Sequence, residues 1–124
     1  MQKLVILPGW GGTKETWQKF TDLAQRDFDV QVINLPCFGD EPCPNEVWGI
    51  EEYSQFVKSS ILNLKSSIIL LGHSFGGQVA AYFASQNPEM IDKLILFAPA
   101  LFRHRKGLRR IIFGVAAKVG KLIF

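Results

Sequence analysis

The run Gly72-His73-Ser74-Phe75-Gly76-Gly77 stands between an apolar stretch, Ser67-Ile68-Ile69-Leu70-Leu71, and a helix-forming one, Gln78-Val79-Ala80-Ala81-Tyr82-Phe83-Ala84. A strand that turns into a helix through a serine flanked by glycines leaves little freedom in what can surround it. The serine is held in a strained backbone conformation, and a Cβ at either flanking glycine would collide with neighbouring chain. Such a turn lifts the Ser74 Oγ out of the sheet. It also leaves the Phe75 N–H at a helix N-terminus, where developing negative charge is stabilised. The pattern predicts a nucleophilic serine, with Gly72 and Gly76 as the glycines that make the turn possible.

A second segment points the same way. Lys3-Leu4-Val5-Ile6-Leu7 reads as a buried strand and runs into Pro8-Gly9-Trp10-Gly11-Gly12, after which Thr13 can cap a helix, with Thr16 or Glu15 an imperfectly placed capping partner. A glycine-rich turn after an early strand lets backbone amides face a cavity, and the Trp10 N–H is the candidate partner to that of Phe75. The plainer reading is a strand-to-helix connection in which glycine only relieves sterics.

The 124 residues, 48% of them hydrophobic, suit one domain with a single core. Four apolar runs, at 3–7, 29–35, 67–71 and 93–97, alternate with helix-like stretches near 13–26, 51–64 and 76–86. Alternation of this kind predicts an α/β fold: a parallel sheet of about four strands with helices on both faces. The helix faces are read as Trp17, Phe20 and Leu23-Ala24; then Tyr53, Phe56-Val57, Ser60-Ile61 and Leu64; then Val79 and Tyr82-Phe83, all as core packing. The loops at 8–12, 36–44, 72–77 and 98–104 each follow a strand, so they gather at the carboxyl edge of the sheet, where open α/β sheets place their ligand crevice.

Several classes are disfavoured. No run approaches the roughly 18 apolar residues of a spanning helix, and Met1-Gln2-Lys3 leads straight into a strand with no small-residue cleavage site, which predicts a cytoplasmic protein. Cys37 and Cys43 bracket a short loop, close enough to bridge, but are expected as free thiols in that compartment. Two cysteines and two histidines far apart give no zinc spacing, and neither metal nor organic cofactor is expected.

These residues resemble the α/β-hydrolase superfamily, in particular its small cap-bearing carboxylesterase-like members such as the pimeloyl-carrier-protein methyl esterases. LVILPGWGGTKETW is similar to the first strand and oxyanion loop, VINLPCFGDEP to the next strand and its loop, LLGHSFGGQVAAYFA to the elbow and its helix, and DKLILFAPA to the strand after it. The resemblance implies a serine hydrolase of carboxylic esters with Ser74 as nucleophile and the Trp10 and Phe75 amides as oxyanion hole. It implies a structural role for His73, whose ring should point away from Oγ. It also implies a triad acid and histidine after the nucleophile, in the order Ser, Asp/Glu, His. Glu89 and Asp92 fall at the amino end of the last strand, on the wrong edge, and His104 is the remaining histidine. His104 follows a strand on the correct edge and is a weak candidate base. Its arginine-rich neighbours disfavour the imidazolium, and no acid is at hand to orient it. The chain is therefore expected to correspond to the amino-terminal portion of a hydrolase, its base and acid supplied by a complementing C-terminal chain or the other copy of a homodimer.

Charge divides the chain at residue 100. Residues 1–100 carry a net −4, whereas residues 101–124 carry +7 and no acid. Leu108, Ile111-Ile112, Val115, Val119 and Leu122 recur at helical spacing, predicting a basic amphipathic helix that resembles the start of a cap. The same pattern suits a membrane surface, so the alternative function is a non-catalytic binding module or a surface-associated protein. Nucleic-acid binding is not expected, because no interleaved aromatic pattern accompanies the basic residues. Asp40 and Glu41 read as solvated loop acids or as the polar rim of a pocket. The expected ligand is a small ester with an apolar portion.

Overall fold

A computed structural model describes residues 1–101. The chain runs β1 (Gln2–Leu7), α1 (Gln18–Ala24), β2 (Phe28–Val32), α2 (Ile50–Ser60), β3 (Ile68–His73), α3 (Phe75–Gln86), a 3₁₀ turn (Pro88–Met90) and β4 (Ile91–Phe97). All four strands are parallel, in the order β2-β1-β3-β4. The chain leaves β1 towards β2 on one side and later places β3 on the other. The loops after β1 and β3 therefore diverge and open a crevice at their carboxyl ends.

Side chains alternate across the sheet, and both faces are covered over β1 and β3, whereas Leu94, Ile95 and Phe97 of the edge strand β4 are exposed. Val5, Leu7, Ile68 and Leu70 pack with Val57 of α2, Ile61 just after it, and Val79 and Phe83 of α3. Leu4, Ile6, Ile69 and Leu71 face the other way, towards Trp17 and Ala24. The α2 helix begins at Gly49, whose N–H donates to the Glu52 carboxylate at 2.8 Å. Glu51 and Glu52 in its first turn and Lys58 in its last complement the helix dipole. Among the described residues no helix is long and apolar enough to cross a membrane.

The α/β sheet is as the alternation predicts, but several boundaries differ. Residues 13–17 form successive turns rather than the start of α1. The Thr13 N–H is taken by Thr16 Oγ1 and the Lys14 N–H by Asn34 Oδ1 at 2.9 Å, which tethers this stretch to the end of β2. The short helix that follows buries Thr21 and packs Ala24, leaving Phe20 and Leu23 exposed contrary to expectation. The inward stripe is Trp17, Thr21 and Ala24, which keeps Trp17 and Ala24 of the expected face and has Thr21 in place of Phe20 and Leu23. The second strand ends at Val32, three residues early, with the Ile33 N–H making a last bond to the Ile6 carbonyl. The expected basic helix lies outside the described residues.

The cysteines also correct the sequence reading. Cys37 and Cys43 form a disulfide, their Cα atoms 4.4 Å apart. A tight turn brings them together: the Cys37 N–H bonds the Glu41 carbonyl, the Phe38 N–H bonds Leu35, and the Glu41 N–H bonds Phe38.

At the crevice α3 begins hard against the end of β1. A Cβ on Gly76 would overlap the carbonyls of Leu7 and Pro8, and one on Gly72 would lie 2.6 Å from the Gly76 carbonyl oxygen. Backbone on both sides leaves nothing flexible to move aside. Gly76→Ala is expected to lower the free energy of unfolding by about 2–3 kcal/mol in urea denaturation, against less than about 0.5 kcal/mol for Leu62→Ala on the surface. Unchanged stability in Gly76→Ala would contradict the close approach. Reduction of the disulfide is expected to cost about 2 kcal/mol in the same measurement, from the short loop it closes. Alkylation of the unreduced, denatured protein should find no thiol, and two labelled thiols would contradict the bond.

Candidate active site

The serine turn is built by its neighbours. Ser74 has φ 52° and ψ −115°, a conformation costing on the order of 1–3 kcal/mol for a residue with a Cβ. Hydrogen bonds clamp it from both sides: its N–H donates to the Phe97 carbonyl at 3.1 Å, and its own carbonyl accepts from Ala100 at 2.9 Å and Gln78 at 3.2 Å. The elbow is thereby tied to the end of β4 as well as to α3. Phe75 is the first residue of α3, so its N–H has no carbonyl one turn back within the helix.

The turn after β1 supplies the facing wall. The Gly12 N–H donates to the Gly9 carbonyl at 2.8 Å, and Gly11 between them has φ 71°. Positive φ at the third position is what a type II turn requires, and it leaves Trp10 at the second position. Trp10 as a residue is 72% exposed, yet its ring stands edge-on to Phe38 at 5.1 Å and to Phe75 at 5.2 Å. Phe38 is buried and comes from the disulfide loop. That loop therefore props the Trp10 and Phe75 rings, a contact with no clear signal in the sequence beyond a phenylalanine inside a polar loop.

A cleft of about 570 Å³ opens between the two turns, lined by Gly9, Trp10, Thr16, His73, Ser74 and Phe97 among others. His73 packs its ring against Phe97 at 5.2 Å and Trp17 at 6.0 Å, on the α1 side of the sheet. A Cβ built on Gly9 would lie 2.9 Å from His73 Nδ1 and 3.2 Å from the Ser74 Cβ, so this glycine lets the two side chains and the turn share one small space. Asp40 is exposed, and neither it nor Glu41 lines this cleft. Asp92 accepts from Gln2 at 2.6 Å at the amino end of the sheet, away from the crevice. His104 lies outside the described residues. Among the described residues no group of three His, Cys, Asp or Glu side chains could hold a metal ion.

The chain is similar to known proteins in sequence and in fold. A family model described as the alpha/beta hydrolase fold matches residues 3–116. A pimeloyl-[acyl-carrier protein] methyl ester esterase of Vibrio parahaemolyticus is 35% identical over 95 residues, covering 77% of this chain and 36% of that protein. A probable 1-acylglycerol-3-phosphate O-acyltransferase of Oryza sativa subsp. japonica is also 35% identical, over 80% of this chain and 25% of its own length. A solved marine microorganism esterase superposes with a TM-score of 0.72 at 28% identity, over 77% of this chain and 36% of the esterase. The chain thus spans between about a sixth and rather more than a third of the length of the curated relatives it matches. A parallel sheet with its crevice at β1 and β3, a strained serine entering α3 and a family match from the first strand onward agree: the chain belongs to the α/β-hydrolase fold family.

Proposed function

We propose that this protein is a serine hydrolase of carboxylic esters, with Ser74 as the nucleophile that carries the acyl group. The observation that carries this reading is the backbone of Ser74, φ 52° and ψ −115° at the mouth of a cleft. Strain of this kind persists only where surrounding structure enforces it, and it clusters at functional sites. The ester-cleaving relatives support the reaction class, since an esterase and a phospholipase share attack of a nucleophile on an ester carbonyl.

In the proposed chemistry Ser74 Oγ attacks the carbonyl carbon, and the oxygen that gains charge is held by the Trp10 and Phe75 amides. One comes from a turn and the other from a helix N-terminus, so neither must reorganise as charge appears. The alcohol leaves, and water later releases the acid from Ser74. Both steps need a base. His73 is committed to Trp17 and Phe97, so the base and the acid that orients it are assigned to residues beyond 101 or to a second chain. Without them, oxyanion stabilisation and binding alone leave about 10³- to 10⁴-fold catalysis over water in proteases stripped of a triad member.

With an activated ester the chain is expected to be acylated faster than it is deacylated, because p-nitrophenolate leaves without a proton and its ester is readily attacked by Ser74, whereas the unactivated butyryl ester on Ser74 awaits water and a base. Mixing the purified chain with p-nitrophenyl butyrate should release about one equivalent of p-nitrophenol in a burst. Intact mass should then show one butyryl group, absent in Ser74→Ala. No adduct on the folded chain, or an adduct that survives Ser74→Ala, would sink the proposal.

A further inference from the structure

The loop closed by Cys37 and Cys43 sends one side chain into the core, and that side chain touches the candidate site. Phe38 is the single buried residue of the loop, whereas both cysteines are exposed. Its ring meets Trp10 at 5.1 Å and Phe75 at 6.1 Å, and those two rings meet each other at 5.2 Å. Trp10 and Phe75 are also the residues whose amides are assigned to the oxyanion. A smaller contact lies alongside: a Cβ built on Gly39 would stand 2.7 Å from Thr13 Cγ2, so the loop also abuts the chain just beyond the glycine turn.

The loop is held in this shape against the preference of its own backbone. Cys37 has φ 70°, a left-handed conformation that residues with a Cβ seldom adopt. Within the covalent ring two backbone hydrogen bonds oppose its relaxation, Cys37 N–H to the Glu41 carbonyl at 3.2 Å and Glu41 N–H to the Phe38 carbonyl at 3.1 Å. Rotation about φ of Cys37 carries the next residue with it, and that residue is Phe38.

We infer that the Cys37–Cys43 bond positions the Trp10 turn through Phe38, and that a dithiol which opens the bond loosens this turn and slows attack by Ser74. Exposed disulfides are the ones that small thiols reach and that serve in regulation. The dithiol is oxidised to its own disulfide, passing two electrons and two protons to the protein, and Cys37 and Cys43 are left as thiols. Cys37 then relaxes towards ordinary φ, and Phe38 leaves its place beside Trp10 and Phe75. An amide donor stabilises an oxyanion only while it is held in advance at the right place, so a loosened turn costs rate. Phe38 is on this account a positioning residue, acting through Trp10 and touching no substrate. The slowed attack rests on the esterase reading, while the link from bond to turn stands on the packing alone.

The full chain is compared before and after dithiothreitol, with the reductant removed under argon and alkylation of an aliquot confirming two new thiols. A fluorophosphonate, which spares thiols, then reports attack by Ser74 through intact mass, and the ¹H–¹⁵N spectrum reports the turn. Reduction is expected to slow labelling by about tenfold or more. It should move the Trp10 amide and indole signals while the Trp17 indole, packed on the other face of the sheet, stays in place, and reoxidation should restore both rate and spectrum. Oxidised Phe38→Leu, which keeps the bond and fills most of the same volume, should label about threefold or more slowly than the unsubstituted protein. Equal labelling rates in the two redox states, or Trp10 signals that ignore reduction, would overturn the inference. Where reduction unfolds the chain, unchanged labelling of oxidised Phe38→Leu overturns it instead. The two readings fail separately: Trp10 signals that follow the bond in a protein that no fluorophosphonate labels defeat the serine reading and uphold the brace, whereas labelling at one rate in both states upholds the serine and defeats the brace.

Discussion

The close approach of the first turn of α3 to the end of β1 is the constraint on which the rest depends. Gly76 lies against the Leu7 and Pro8 carbonyls, and no side chain stands between them. This brings the turn after β1 next to the turn after β3, although nearly seventy residues separate them in the chain. Only then can two loops meet at one serine. The approach is made possible by absent side chains, and the hydrophobic layers on either face hold it in place. Val79, Ala80 and Phe83 of α3 are wholly buried against Leu7 and Leu70, so the helix cannot withdraw without exposing the larger of the two cores.

Strain at Ser74 is maintained by the same packing. Its N–H is bonded to the end of β4 and its carbonyl to both Gln78 and Ala100, so relaxation would break bonds to two elements at once. The Cys37–Cys43 loop adds a third support through Phe38, which stands under Trp10 and Phe75. Three loops from the carboxyl edge therefore converge on one point. In the reading offered here each contributes something different: the serine, a facing amide, and an aromatic prop that shapes the pocket.

Much of this was legible in the sequence because it is written in local chemistry. Runs such as Ser67-Ile68-Ile69-Leu70-Leu71 have one plausible fate, and glycines flanking Ser74 have a steric meaning that holds wherever the elbow occurs. Features governed by distant partners were harder to read. The start of α1 is displaced because Asn34, twenty residues away, takes the Lys14 N–H. Thr21 is buried while Leu23 is not, because the direction of a short helix is set by the Trp17 and Ala24 contacts rather than by its most apolar face. The cysteine pair was judged from an inferred compartment, whereas the bond follows from a turn whose backbone hydrogen bonds are not visible in spacing. The cluster of Trp10, Phe38 and Phe75 was hidden for a similar reason: its rings come from three separate parts of the chain and meet only in three dimensions.

The two curated relatives are about three to four times as long as the stretch they match, and the proposed oxyanion pair, Trp10 and Phe75, lies within residues 1–101, so it is the part of the proposed chemistry this chain can be asked to demonstrate by itself. The direct measurement is the ¹H–¹⁵N spectrum of the protein after a fluorophosphonate has been attached to Ser74, which places a polar phosphoryl oxygen on a tetrahedral centre where the intermediate would hold its oxyanion. The account predicts downfield shifts of the Trp10 and Phe75 backbone amides above all others, retained when Trp10 is replaced by alanine because the donor is main chain. An adduct on Ser74 that leaves those two amides unmoved would contradict it.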